Sequence, residues 1–245
     1  MDVVIGSAYR GPADSANGGY ACGVFSTLSP SATGAPAAVV LHAPPPLASA
    51  LDVRGHGARA QVWHGDVLVA TVGPGSSTMR AVDPVTVEEA RRAESSFAGR
   101  EGHPFPTCFV CGVDVEPALG FPLTPGRLDG RDLVACTWTP DADVSTELVW
   151  SALDCPGGWT CDPVREPMVL GRMSALVLEL PEPGRPHVVV GGLWRRNGRT
   201  AHIGTALYDP AGRLLAKATS VWIALEAGRQ APPERRGMAD VHHTR

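Results

Sequence analysis

The stretch S-T-E-L-V-W-S-A-L-D-C-P-G-G-W-T-C, residues 145–161, reads as one buried helix that carries an acid and ends in glycines. Ser145 suits an N-cap, and Glu147 sets a carboxylate against the positive end of the helix dipole. Leu148, Val149, Ala152 and Leu153 recur at spacings of three and four, the period of a helix with an apolar face. Pro156 and the pair Gly157-Gly158 then weaken it, by about 3 kcal/mol for proline and about 1 kcal/mol per glycine in an ordinary helix interior. Glycine also admits a second backbone or a ligand at close range. Asp154 therefore has two readings: a capping or ion-paired carboxylate, or a functional acid beside that approach.

Composition bounds what surrounds this helix. The chain has 245 residues, 44% of them hydrophobic, enough for a substantial core in one large domain or two small ones. A formal net charge of -4 argues against a general nucleic-acid binder. No apolar run reaches about 18 residues, so no membrane span is expected. The start lacks a basic segment followed by an apolar one, so no signal peptide is expected. Six scattered cysteines do not make a secreted disulfide framework, and a cytoplasmic setting is the expectation.

Working outward, residues 17–28, N-G-G-Y-A-C-G-V-F-S-T-L, read as a second helix capped by Asn17, and 29–36 as a loop. Residues 37–42 read as a buried strand, stopped by Pro44-Pro45-Pro46. Residues 58–63 alternate with period two, His64-Gly65-Asp66 turns, and 67–72 return, the pattern of a hairpin. Asp83-Pro84 opens a helix with proline at its first position, closed by Gly99 and bearing a Glu88–Arg92 pair. It suits packing over a sheet edge, or a lid. Residues 133–138, 168–180, 188–194, 199–208 and 213–225 read as strands, with a break at Gly171. The polar, Pro/Arg-rich end reads as a frayed tail.

The chain also resembles itself. Gly18-Gly19-Tyr20-Ala21-Cys22 parallels Gly157-Gly158-Trp159-Thr160-Cys161, and Val39-Val40-Leu41 parallels Leu178-Glu179-Leu180 at the same offset. The hairpin at 60–70 parallels 205–216. Each half then supplies a helix, a strand, a proline turn, a strand and a hairpin. Two antiparallel sheets, each wrapped on a helix, can join edge to edge and remove two open edges.

The order of these motifs resembles the hotdog fold, in the double-hotdog arrangement of acyl-CoA thioesterase-like proteins. Leu153-Asp154-Cys155-Pro156-Gly157-Gly158 is similar to its helix, where an Asp precedes a glycine pair. Asn17-Gly18-Gly19-Tyr20 is similar to the helix of the N-terminal repeat, and residues 206–219 to a hairpin common in the superfamily. The resemblance implies an α+β fold of two tandem hotdog repeats: an N-terminal hotdog at 1–75, a connector at 76–106, a C-terminal hotdog at 107–225 and a tail at 226–245. It further implies an acyl-CoA or acyl-carrier thioester as partner, met where the repeats join, in a monomer or homodimer.

A carboxylate facing a thioester can serve as general base on water or as nucleophile, while backbone N–H groups hold the oxyanion. The resemblance assigns the first role to Asp154, and substrate contacts to Gly18, Gly19, Cys155, Gly157, Gly158 and Trp159. Asn17 either polarises a carbonyl or positions water, or only caps its helix. Cys155 is either a nucleophile or a buried structural thiol. Two registers remain open for the first repeat: one sets Ser15 opposite Asp154, the other puts Gly18-Gly19 at the start of its helix. No histidine lies on the 145–161 helix, against a dehydratase with an acid/histidine pair. Arg195, Arg196 and Arg199 either meet CoA phosphates or lie solvated.

Cys108-Phe109-Val110-Cys111-Gly112 resembles one knuckle of a zinc ribbon, for which a second ligand pair is missing. His103 could supply a third ligand and Cys136, Cys155 or Cys161 a fourth. Otherwise the segment is a tight turn with buried thiols, and no cofactor is needed. Thioredoxin-like chemistry lacks its βαβ context.

Overall fold

A computed structural model describes residues 2–28, 35–56, 58–115, 121–141 and 144–226. Its elements are β1 (Asp2–Val4), α1 (Gly18–Ser26), β2 (Ala37–Leu41), β3 (Ala50–His56), β4 (Arg59–His64), β5 (Val67–Pro74), α2 (Val87–Ala93), β6 (Gly126–Arg127), β7 (Leu133–Trp138), α3 (Thr146–Gly158), β8 (Met168–Val177), β9 (His187–Asn197), β10 (Thr200–Tyr208) and β11 (Leu214–Ala224). All strands join one 11-stranded sheet in the order β1-β3-β4-β5-β2-β8-β11-β10-β9-β7-β6. Every pairing between these strands is antiparallel.

That order runs the same way inward from both ends. β1-β3-β4-β5-β2 carries α1 between its first and second strands in sequence. β7-β9-β10-β11-β8 carries α3 at the same place, with β6 added at the edge. The halves meet where β2 pairs β8, from Ala37 opposite Ala175 to Val40 opposite Arg172. The two helices lie on one face of the sheet and against each other. The expected α+β double arrangement is therefore the observed one.

Strand alternation sorts side chains into two cores. Cys136, Trp138, Val189 and Ile203 join the core under α1 and α3, with Phe25 and Leu153. Ala135, Val188, Val190 and Ala206 face the other way, where Val82, Val85, Ala90 and Ala93 of the connector cover them. The connector helix thus packs on the outer face of β7 and β9.

Several boundaries differ from the sequence reading, each for a local reason. α2 begins after Thr86, not at Pro84. Thr86 Oγ1 accepts the Glu89 N–H at 3.1 Å and Glu89 Oε2 accepts the Thr86 N–H at 2.7 Å. This capping box satisfies two N–H groups that a start at Pro84 would leave open. The Glu88–Arg92 pair forms. α2 stops at Ala93 and gives way to 3₁₀ turns at Glu94–Ser96 and Ala98–Glu101, because Phe97 is extended between them. β1 and β3 are strands beyond those expected from the sequence. Asp52 and Arg54 stand outward on β3, and Gly55 interrupts its alternation. β8 ends at Val177, so Leu178-Glu179-Leu180 lies beyond the strand that mirrors β2. The expected tail lies outside the described residues beyond Glu226, as does most of the loop at 29–36.

The glycine pairs take the second of the two registers. Gly18-Gly19 opens α1 behind its Asn17 cap, whereas Gly157-Gly158 closes α3. Equivalence by sequence offset, and with it the match of Ser15 to Asp154, therefore does not hold. α3 runs through Pro156, although proline has no N–H to give the Ala152 carbonyl one turn back. There Thr160 Oγ1 caps the Gly157 carbonyl at 2.7 Å and Trp159 N–H reaches the Cys155 carbonyl at 3.1 Å.

Candidate functional site

The site is built where α1 crosses α3. Ser145 caps α3, with Oγ accepting the Leu148 N–H, and the helix then buries every residue from Val149 to Gly158. Asp154 is 2% exposed. Its Oδ2 accepts the Gly19 N–H from the first turn of α1 at 2.8 Å, and its Oδ1 has no hydrogen-bond partner among the described residues. Burial pushes this carboxyl up to about 8, against the downward pull of the Gly19 N–H and with a further upward push from Cys108. Both protonation states are then populated near neutral pH, the range in which a carboxyl can take up and release a proton.

Glycine makes the crossing possible. A Cβ on Gly19 would lie 2.4 Å from Asp154 Cβ and 2.8 Å from the Trp150 carbonyl oxygen; one on Gly23, 2.7 Å from Glu147 Cα. Gly19 and Gly23 are one helical turn apart, so α1 presents a bare stripe to α3. The other predicted glycines also meet protein. Gly18 faces Leu170, Gly157 faces Thr205 and Ile203, and the Trp222 ring stands 2.6 Å from a Cβ at Gly158. The close approaches signalled by the glycines are thus occupied by helix and sheet. Trp159 is buried edge-on against Phe97 at 4.7 Å and His103 at 5.1 Å, where it anchors the connector.

Asn17 caps α1, the second of its two readings, and turns its side-chain N–H groups toward sulfur. Its Oδ1 accepts the Tyr20 N–H at 2.9 Å, while its Nδ2 donates to Cys155 Sγ at 3.5 Å and Cys108 Sγ at 3.7 Å. Cys155, one residue after Asp154, lies 3.8 Å from Cys108, sulfur to sulfur. With Cys111 these make a fully buried cluster whose sulfurs lie within 4.8 Å of one another. The neighbouring Cys111 and Cys155 sulfurs, with backbone N–H groups of Cys111 and Val110, hold the Cys108 thiol well below its usual range against burial. Cys111 and Cys155, beside Cys108, are pushed up.

His103 is placed differently from a third ligand. Its Nδ1 accepts the Phe105 N–H at 3.0 Å, so a neutral ring carries its proton on Nε2, which lies 3.3 Å from Cys111 Sγ. Burial keeps the ring below its ordinary range and therefore neutral. The geometry makes it a donor to sulfur. Cys136 lies in β7 and Cys161 beyond α3, both outside the cluster. Arg196 pairs with Glu166, Arg199 with Glu226 at 2.8 Å, and Arg195 reaches His202 at 3.2 Å.

Three further polar atoms on the sheet are buried without a partner among the described residues: Thr205 Oγ1, Ser220 Oγ and Trp222 Nε1. They come from neighbouring strands β10 and β11, on the face that α3 covers, and the Gly157 position touches both Thr205 and Trp222. Such groups are rare in a folded interior. Their sequence signal was present: period-two alternation places Thr205 in step with Ile203 and Leu207.

No protein-family model matches the sequence, and no curated protein matches it. Its structure is similar to a candidate thioesterase from Novosphingobium aromaticivorans, at 15% identity and a TM-score of 0.61, covering 92% of this chain and 95% of the other. It is also similar to a conserved hot dog fold protein of unknown function from Alicyclobacillus acidocaldarius, at 13% identity and a TM-score of 0.60, covering 92% of both. A candidate thioesterase II from Thermobifida fusca shares 13% identity at a TM-score of 0.59, again over 92% of each chain.

Proposed function

We propose, on the premise that this chain is a double hotdog protein, that it hydrolyses an acyl thioester, of coenzyme A or of an acyl carrier, with Asp154 as its base or nucleophile. One observation carries the reading: the Asp154 carboxylate is fixed through Oδ2 by the Gly19 N–H, and its Oδ1 has no partner among the described residues. A carboxylate held in one orientation with a free lone pair can draw a proton from water, or attack the thioester carbonyl itself. Thr205, Ser220 and Trp222 supply further unspent donors around α3 for the oxyanion or the water. Structural likeness to candidate thioesterases supports the reaction class through the fold alone.

A second reading has its own support. Asp154 is closed over by α1, and protein fills the space beside Gly18, Gly19, Gly157 and Gly158. A non-catalytic protein that binds an acyl thioester or another small ligand fits that closure.

The test is thiol release from a panel of acyl-CoAs, short to long and aromatic, by wild type beside Asp154→Asn. The expected result is turnover on one acyl class, falling by about 10² or more in the variant, as for loss of a general base. No turnover on any member, with CoA esters still raising the melting temperature, would replace the hydrolase by the binding protein.

A further inference from the structure

We infer that Cys108, Cys111 and Cys155 form a thiolate site for a zinc-class cation, which clamps the C-x-x-C loop to α3. Two chain segments far apart in sequence converge to make it. Cys108 and Cys111 come from a tight loop, and Cys155 from the C-terminal part of the site helix. All three are buried and no disulfide joins them. Tetrahedral coordination with zinc–sulfur bonds of about 2.3 Å separates the sulfurs by about 3.8 Å. The Cys108–Cys155 separation is 3.8 Å, and the whole set lies within 4.8 Å. Little movement is needed to gather the three around one ion.

The loop is shaped for this. Gly112 N–H donates to the Cys108 carbonyl at 2.7 Å, and Asp114 N–H to the Pro106 carbonyl at 2.9 Å. A Cβ on Gly112 would sit 2.3 Å from the Pro106 oxygen, so only glycine closes the turn. Phe109 N–H ties the loop to the Arg10 carbonyl at 3.0 Å, and Val110 accepts from Leu123 N–H at 2.6 Å. The sulfurs are thereby held in place from both sides.

Donors outside the cluster converge on it. Asn17 Nδ2 faces Cys108 and Cys155, and His103 Nε2 faces Cys111. Hydrogen bonds to coordinating sulfur offset the excess negative charge of three thiolates on a divalent ion and orient the ligands. Thiolate ligands select zinc and its soft congeners over magnesium or calcium. Among the described residues no fourth Cys, His, Asp or Glu joins the set, so these residues supply three ligands. Binding replaces the remaining thiol protons by the ion, and those protons leave to solvent.

The inference stands whether or not the chain hydrolyses a thioester, since metal is read without substrate. The full chain is purified under reducing conditions without chelator, and its metal content is measured. About one zinc per chain is expected. After removal of that metal, Co2+ should give an intense near-ultraviolet thiolate-to-cobalt band that saturates at about one equivalent. Cys108→Ser and Cys155→Ser should lose both signals, while Cys161→Ser, outside the cluster, keeps them. Wild type decides the matter even if a variant fails to fold. Folded wild type that retains no metal and shows no cobalt band would overturn the site, as would a native mass two hydrogens light with Cys108 joined to Cys155.

Discussion

His187 shows how closely a single side chain can be tied to its surroundings. It is 1% exposed. Nδ1 lies 2.9 Å from the Arg185 carbonyl, to which it can only donate, so Nε2 is the acceptor, and it takes the Glu182 N–H at 3.2 Å. A second proton on the ring would break that acceptor bond. Burial lowers the ring's affinity for it, with a smaller push from Arg185, against an upward pull from the Arg185 carbonyl, Asp209 and Glu182. The folded value thus lies below the unfolded value of about 6.5. Above about pH 6.5 both states are neutral here; below it the unfolded chain takes the proton first, so stability falls as pH falls. Urea midpoints measured from pH 7.5 down to about 5.5 should drop, and His187→Gln should flatten part of that slope. At this scale Asn17 as a cap and Asp154 on a buried helix were legible, since capping and periodicity are local. The partners of Asp154 were not. Gly19 is 135 residues away along the chain, and glycine reads alike whether a ligand or a second helix approaches it.

Between elements, the contact of α1 with α3 rests on absent side chains. Gly23→Ala would drive a methyl group to 2.7 Å from Glu147 Cα, and Gly19→Ala to 2.4 Å from Asp154 Cβ. Backbone cannot yield as a flexible side chain does, so the helices must separate. Overpacking of this kind costs about 1–3 kcal/mol, offset only slightly by the better helix propensity of alanine. Chemical denaturation should show that loss for each variant; Gly65→Ala, which meets no atom within 4 Å but has φ +59°, should lose stability through its backbone instead. The sequence carries the stripe as Gly19-x-x-x-Gly23, overlapping the tandem pair Gly18-Gly19. β3 is less legible: its outward Asp52 and Arg54 reflect solvent on one face, and Gly55 breaks the count. Strongly periodic elements such as α3 and β7 were placed to within a residue or a few.

For the molecule as a whole, the continuous sheet and the shared helical core predict one unfolding event. β2 and β8 pair across the middle, and the larger core contains residues of both halves, from Phe25 to Leu207. Far-ultraviolet circular dichroism and tryptophan fluorescence should therefore give coincident urea transitions, since neither half can expose its inner strand without opening the other. Two separated midpoints would show that the halves unfold as independent units. The outermost strands, β1 and β6, are only three and two residues long, which leaves little edge for another sheet to join. The mirrored strand order was legible in outline because hairpins and turns recur. The residue register was not, because two glycine pairs of the same composition occupy opposite ends of their helices.

The bond from Gly19 to Asp154 spans the two halves, yet both belong to one polypeptide. Were the halves separate molecules, every encounter of this amide with this carboxylate would be governed by how many copies a cell contains. Tethering makes the encounter internal, with an effective concentration set by the chain between them. Dilution therefore leaves the pair intact. Covalent linkage also lets the helices diverge: α1, with no acid from Gly18 to Ser26, keeps only backbone to offer, and α3 alone carries the charge.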